Sequence, residues 1–226
     1  METATISCVA VSIRHVTDSS AEPAVRGFLH VPDEKNGDGL ALTHGAGANC
    51  QSKLLTGLAD AFAEAGFSVL RCDLPFRQRR PQGPPLPGSA AADREGLRRA
   101  VQVLKQTTPG RIYLGGHSYG GRQASMLAAE DSQLVAGLLL LSYPLHPPRK
   151  PLQLRTGHFP NLATPALFVH GSRDPFGSIE ELSTARKLIP ARNTLLEISG
   201  SGHELLPRHA SDVPSQIVHA FCGFFS

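Results

Sequence analysis

Ser118 is the centre of Gly116-His117-Ser118-Tyr119-Gly120, which lies between a strand-like run, Arg111-Ile112-Tyr113-Leu114, and a helical run. In that setting a G-x-S-x-G pentapeptide forms a sharp elbow that lifts the serine hydroxyl above a sheet in a strained backbone conformation. Glycines at 116 and 120 suit such an elbow, because a Cβ there would strike the neighbouring strand and helix, and Gly115 and Gly121 extend the small-residue zone. A glycine-rich turn with an incidental serine would look the same in isolation. Two later segments break the tie. His170-Gly171-Ser172-Arg173-Asp174-Pro175 follows the short apolar run 165–169 and puts a carboxylate on a loop leaving a strand. Gly200-Ser201-Gly202-His203-Glu204 follows the run 194–198 and puts an imidazole on a glycine-flanked loop. A serine hydroxyl is a weak nucleophile until an imidazole takes its proton. The imidazole in turn needs a carboxylate to hold its tautomer and stabilise its charge. Ser118, Asp174 and His203, in that order and each at the end of a strand, are therefore the expected nucleophile, orienting acid and base.

A fourth segment supplies what such a set still lacks. Leu40-Ala41-Leu42-Thr43 reads as a strand and is followed by His44-Gly45-Ala46-Gly47-Ala48. An acyl-transfer site needs one backbone N–H from the residue after the nucleophile, here Tyr119, and a second from the loop after the third strand. The second donor is assigned to Ala46, with Gly47 as the alternative. His44 is read as a structural residue that pins this loop, since His203 already serves as base. A phosphate-binding glycine loop is the competing reading of the segment, but no G-x-x-x-x-G-K-[ST] occurs in the chain.

Taken together, THGAGAN, GGHSYGGR, SYPLHPP, HGSRDPFG and SGSGHEL resemble the compact, dienelactone-hydrolase-like α/β-hydrolases. They are most similar to the branch that includes testis-expressed protein thirty and its bacterial relatives. The resemblance runs from about Leu40 to the C-terminus and implies an α/β-hydrolase fold with a hydrolase site at Ser118, Asp174 and His203. It does not imply dienelactone as substrate, because dienelactone hydrolases use a cysteine where this chain has Ser118.

The elements needed to position these residues can be read from the periodicity. Strand-like runs fall near 6–16, 26–31, 40–43, 67–72, 111–115, 134–141, 165–170 and 194–198, and helical patterns near 52–65, 89–106, 119–130, 178–188 and 213–225. The first two strands should pair antiparallel at one edge. The rest alternate with helices and imply a mostly parallel central sheet of about eight strands. Ser89 is the expected N-cap of the second helix. At 226 residues, with no internal repeat and no linker, the chain is expected to form one domain over 1–226.

Composition narrows the function classes. The formal net charge is only +3, and there is no basic helix with interleaved aromatics, so no nucleic-acid partner is expected. The longest apolar stretch, 134–141, is too short to span a bilayer and reads as a buried central strand. Cys8, Cys50, Cys72 and Cys222 are scattered without C-x-x-C spacing and read as reduced thiols. With no signal peptide visible in Met1-Glu2-Thr3-Ala4-Thr5-Ile6, a cytoplasmic location is expected. Cys50, near the 44–48 loop, is read as a packed small residue, with reactivity as the alternative. His15, His30, His158, His209 and His219 show no ligand spacing, so neither metal nor cofactor is expected.

Two loops bear on what the site can hold. The proline-rich stretch 74–88 carries Arg77, Arg79 and Arg80, which would either draw an anionic substrate or simply solvate the loop. The connection from Ser142 to Thr164 is too short for a separate cap domain, so an open cleft is expected. Tyr143 and His146, with Leu145 and Phe159, are the candidates for substrate contacts, ordinary packing being the alternative. Arg122 is read either as a structural hydrogen-bonder under the elbow or as a substrate contact. The expected reaction is cleavage of a carboxylic ester or thioester of a small molecule through an acyl-enzyme. A non-catalytic interaction protein, or peptide or perhydrolytic chemistry, are the alternatives.

Overall fold

The computed structural model describes residues 10–206 and 213–226. Its framework is one eight-stranded sheet in the order β1-β2-β4-β3-β5-β6-β7-β8. The strands are β1 (Val11–Asp18), β2 (Val25–Pro32), β3 (Gly39–Thr43), β4 (Ser68–Cys72), β5 (Ile112–His117), β6 (Gly137–Leu141), β7 (Ala166–Gly171) and β8 (Asn193–Ile198). β1 and β2 pair antiparallel, β2 meets β4 antiparallel, and every pair from β4 to β8 is parallel. Helices cover both faces, as a sheet buried on two sides requires. They are α1 (Lys53–Glu64), α2 (Pro75–Arg79), α3 (Ser89–Lys105), α4 (Tyr119–Glu130), α5 (Ile179–Ala185) and α6 (Val213–Phe225). This is the α/β-hydrolase architecture with no separate cap domain among the described residues.

Side-chain alternation along the central strands divides the core into two layers. Leu40, Leu42, Val69, Leu139 and Leu141 face α1 and α6, where Phe62, Phe67, Tyr113 and Phe221 pack ring edge to ring face. Ala41, Leu70, Leu114, Leu138 and Leu140 face the layer of α3 and α4. Local signals set the helix ends. The Ser52 hydroxyl accepts from the Leu55 N–H at the start of α1, and Ser178 with Glu181 forms a reciprocal capping box on α5.

Three expectations shift. Ser89 does not cap α3: Gly88, at φ 87°, reverses the chain in the left-handed region and Ser89 is already helical. The stretch after β4 is not all loop, because Pro75 starts the short helix α2 and its Phe76 N–H is taken by the buried Asp93 carboxylate at 3.0 Å. β6 begins only at Gly137, since Leu134 closes a turn onto Asp131. The start of the expected first strand, Cys8 and His209 lie outside the described residues.

Candidate active site

β5 ends in the elbow. Ser118 has φ 51° and ψ −114°, a left-handed region that a residue with a Cβ enters only under strain. The strain is held by close packing. The Ser118 N–H donates to the Leu141 carbonyl at 2.8 Å, and a Cβ on Gly116 would lie 2.6 Å from the Gly120 carbonyl carbon. A Cβ on Gly120 would lie 2.5 Å from the His44 carbonyl oxygen. The two glycines thus let strand, helix and the loop after β3 meet at the serine.

The three residues that carry the expected chemistry come together from three strand ends. His203 Nε2 lies 2.8 Å from Ser118 Oγ, and His203 Nδ1 lies 2.7 Å from Asp174 Oδ2. With the Nδ1 proton facing the carboxylate, Nε2 is left as the acceptor for the serine hydroxyl. The Asp174 side chain is wholly buried, and its Oδ1 also accepts from the Phe176 N–H at 2.8 Å. Burial alone would raise this carboxyl. The His203 hydrogen bond and charge, with the Phe176 N–H and His170, outweigh it and hold Asp174 below the ordinary carboxylate range.

Around them lies a cleft of about 310 Å³, lined by the 45–48 loop, His117, Phe176 and Glu204 as well as Ser118 and His203. Ala46 and Gly47 both line it. Tyr119 is the first residue of α4, where the backbone N–H has no intrahelical acceptor. Its hydroxyl donates to Asp93 Oδ2 at 2.7 Å, which ties the elbow to α3. His44 pins the loop as expected: it is fully buried, its Nδ1 donates to the Gly45 carbonyl at 2.8 Å and its Nε2 accepts from the Leu74 N–H at 3.1 Å. Burial lowers its pKa and keeps the ring neutral, which this donor–acceptor pattern requires.

Tyr143 and His146 are a correction, for neither lines this cleft. The chain after β6 turns into the core instead of over the serine. Tyr143 is fully buried between Phe159 and Phe168, and its hydroxyl donates to the Arg155 carbonyl at 2.7 Å. His146 is buried against the Pro147 carbonyl at 2.8 Å and the Glu181 carboxylate at 3.4 Å. Leu145 and Phe159 belong to the same core. Arg122 does not line the cleft either. Arg77 is buried rather than presented to substrate, whereas Arg79 and Arg80 line a separate surface cleft beside Phe76 and Leu86. Cys50 is buried, and burial pushes its thiol up to about 12, so it packs rather than reacts.

Sequence reasoning passed over two residues that touch His203. Phe176 stacks on the His203 ring, with centroids 4.3 Å apart and an interplanar angle of 32°. His117, inside the pentapeptide itself, is buried at the end of β5 and donates through Nε2 to the His203 carbonyl at 2.8 Å. Its position at a strand end facing the converging loops was the available signal.

The alpha/beta hydrolase domain family matches residues 37–220 of the chain. The chain belongs to that family, and hydrolase chemistry is its class of reaction. Among solved structures, a dienelactone hydrolase from Anabaena variabilis is similar, at 21% identity and TM-score 0.73 over 95% of this chain and 97% of that one. DcsB, solved with a substrate analogue, is similar at 18% identity and TM-score 0.76 over 95% and 99%. Est1E from Butyrivibrio proteoclasticus is similar at 16% identity and TM-score 0.71 over 93% and 98%. The chain therefore shares its fold with these compact α/β-hydrolases.

Proposed function

We propose that the protein is a serine hydrolase that cleaves carboxylic esters or thioesters of small molecules. The unbroken chain of hydrogen bonds from Ser118 Oγ through His203 to Asp174, at 2.8 and 2.7 Å, is the observation that carries this reading. His203 Nε2 takes the hydroxyl proton as Ser118 Oγ attacks the acyl carbon, and the carbonyl π pair moves onto oxygen. The Ala46 and Tyr119 N–H groups stabilise that oxyanion. Collapse expels the alkoxide or thiolate, which leaves with the proton from His203. Water then repeats the sequence on the acyl-serine and releases the acid. Asp174 holds the imidazole tautomer throughout and stays ionised. Cys50, Cys72 and Cys222 are free thiols, which supports a reducing, cytoplasmic setting. Among the described residues no helix is long and apolar enough to cross a membrane.

A fluorophosphonate probe tests the reading directly. It should label the wild type at Ser118, and a panel of esters of rising acyl length should show short soluble esters turned over fastest, given the cleft of about 310 Å³. A folded protein that the probe leaves unlabelled would instead be a hydrolase fold kept as an interaction scaffold. A steep preference for long chains with activation at a lipid interface would overturn the open-cleft reading.

A further inference from the structure

Arg77 is an arginine in an unusual place. It is only 5% exposed, and among the described residues no carboxylate lies within ion-pair distance of it. Its charge is met by carbonyl oxygens alone. Nε donates to Ala48 at 2.8 Å, Nη1 to Arg80 at 3.0 Å, and Nη2 to Ala46 at 2.8 Å and Gly83 at 3.0 Å. Four of the five N–H donors of a guanidinium are thus spent on main chain, and two of the four acceptors belong to the loop that lines the Ser118 cleft. The other two belong to the turn that follows α2. The side chain also lies against Phe76, with Cζ 4.9 Å from the ring centroid.

Planarity of the peptide unit gives this a consequence. In a trans peptide the carbonyl and the N–H point in opposite directions. Arg77 holds the Ala46 carbonyl and so sets the plane of the 46–47 peptide. His44 holds the Gly45 carbonyl and so sets the 45–46 peptide, whose N–H is that of Ala46. Both carbonyl edges are occupied by protein, which leaves the N–H edges for a guest in the cleft. Ala48 N–H closes the loop onto the Gly45 carbonyl at 3.2 Å, but a Cβ on Gly47 would meet nothing within 4 Å. Packing does not hold this loop from the Gly47 side.

We infer that Arg77 is a positioning residue for the oxyanion loop, a four-way clamp that fixes the 46–47 peptide and, through the Cα that the two peptides share, steadies the 45–46 peptide whose Ala46 N–H is the proposed donor. The inference rests on the serine-hydrolase reading above. A planar guanidinium suits the task because its donors form a fixed fork, whereas a lysine ammonium is a mobile point charge. The clamp does not touch substrate. It acts on kcat because the oxyanion, and not the ground-state carbonyl, is what the preorganised donors meet.

The test compares Arg77→Met, Arg77→Lys and Arg79→Met with the wild type. It uses p-nitrophenyl acetate as a neutral substrate and an alkyl boronic acid as a tetrahedral, anionic adduct of Ser118. Arg77→Met should lower kcat by about 10²-fold, the cost of misplacing a donor by about 1 Å, with KM little changed. Boronate affinity should fall in parallel. Arg77→Lys should recover part of both losses, and Arg79→Met, which keeps the clamp, should match the wild type. Thermal unfolding of each variant separates lost fold from lost positioning, and if Arg77→Met does not fold, the Lys variant decides. A folded Arg77→Met or Arg77→Lys protein with wild-type kcat and boronate affinity overturns the clamp. So does an equal loss in Arg79→Met, which would point to general charge steering. A wild type that neither turns over ester nor binds boronate overturns the hydrolase reading itself, and the clamp with it.

Discussion

At the scale of single residues, Ser118 carries opposing demands. Its left-handed φ of 51° is unfavourable for any side chain with a Cβ, yet the proposed nucleophile must have one. Ser118→Ala and Ser118→Gly both remove the hydroxyl, but only glycine also removes the strain. The Gly variant should therefore be more stable than the Ala variant by about 1 kcal/mol, after allowing for glycine's extra chain entropy. That corresponds to roughly 2–4 °C in a thermal unfolding scan of a domain this size. Both should lose turnover by roughly 10⁴–10⁶, because the three groups act as a unit. Asp174→Asn should cost about 10⁴ by presenting the wrong imidazole tautomer, while the protein stays folded. Equal stability of the Ala and Gly variants would show that the elbow carries no strain.

At the scale of elements, the elbow works because β5, α4 and the loop after β3 come within backbone contact. Gly120→Ala would put a Cβ 2.5 Å from the His44 carbonyl oxygen and 2.6 Å from Thr43 Cγ2. Neither strand end can move without disturbing the parallel pairing of β3 with β5. Denaturant unfolding should show a loss of about 1–3 kcal/mol or more. Gly47→Ala, with open space around it, should fall within about 0.5 kcal/mol of the wild type. These strand ends were legible in the sequence because each combines a short apolar run with a glycine-flanked polar residue, a pattern that depends only on local chemistry. The 144–158 connection was not legible. Whether Tyr143 points over the cleft or into the core is decided by Phe159 and Phe168, which are distant in sequence and leave no local mark. Arg77 was misread for a related reason. An arginine in a proline-rich stretch looks solvated until the carbonyls that surround it are assembled.

At the scale of the whole molecule, neutral imidazoles are built into the interior. His30, His44, His117 and His170 are all buried, and burial lowers each pKa from 6.5. In the unfolded chain they take up protons near the ordinary value, so below it the unfolded state binds more protons than the folded one. Stability should be fully present above about pH 6.5 and fall as the solution is acidified towards the lowered folded-state values. The slope is about 1.4 kcal/mol per pH unit for each histidine that titrates only on unfolding. Asp174, also held low, adds a further loss as the pH falls below the ordinary carboxylate range. Denaturant midpoints measured across this range check the sign, and a flat profile between pH 7 and 5 would contradict it. The strand order carries one more consequence, in time rather than space. During synthesis Ser118 leaves the ribosome first, on β5, Asp174 follows β7, and His203 comes only after β8. A nascent chain that has folded its first five strands holds Ser118 without the imidazole proposed to activate it. On the proposed reading, hydrolytic power would switch on only when the far edge of the sheet, with His203 behind β8, has docked onto the strands already folded.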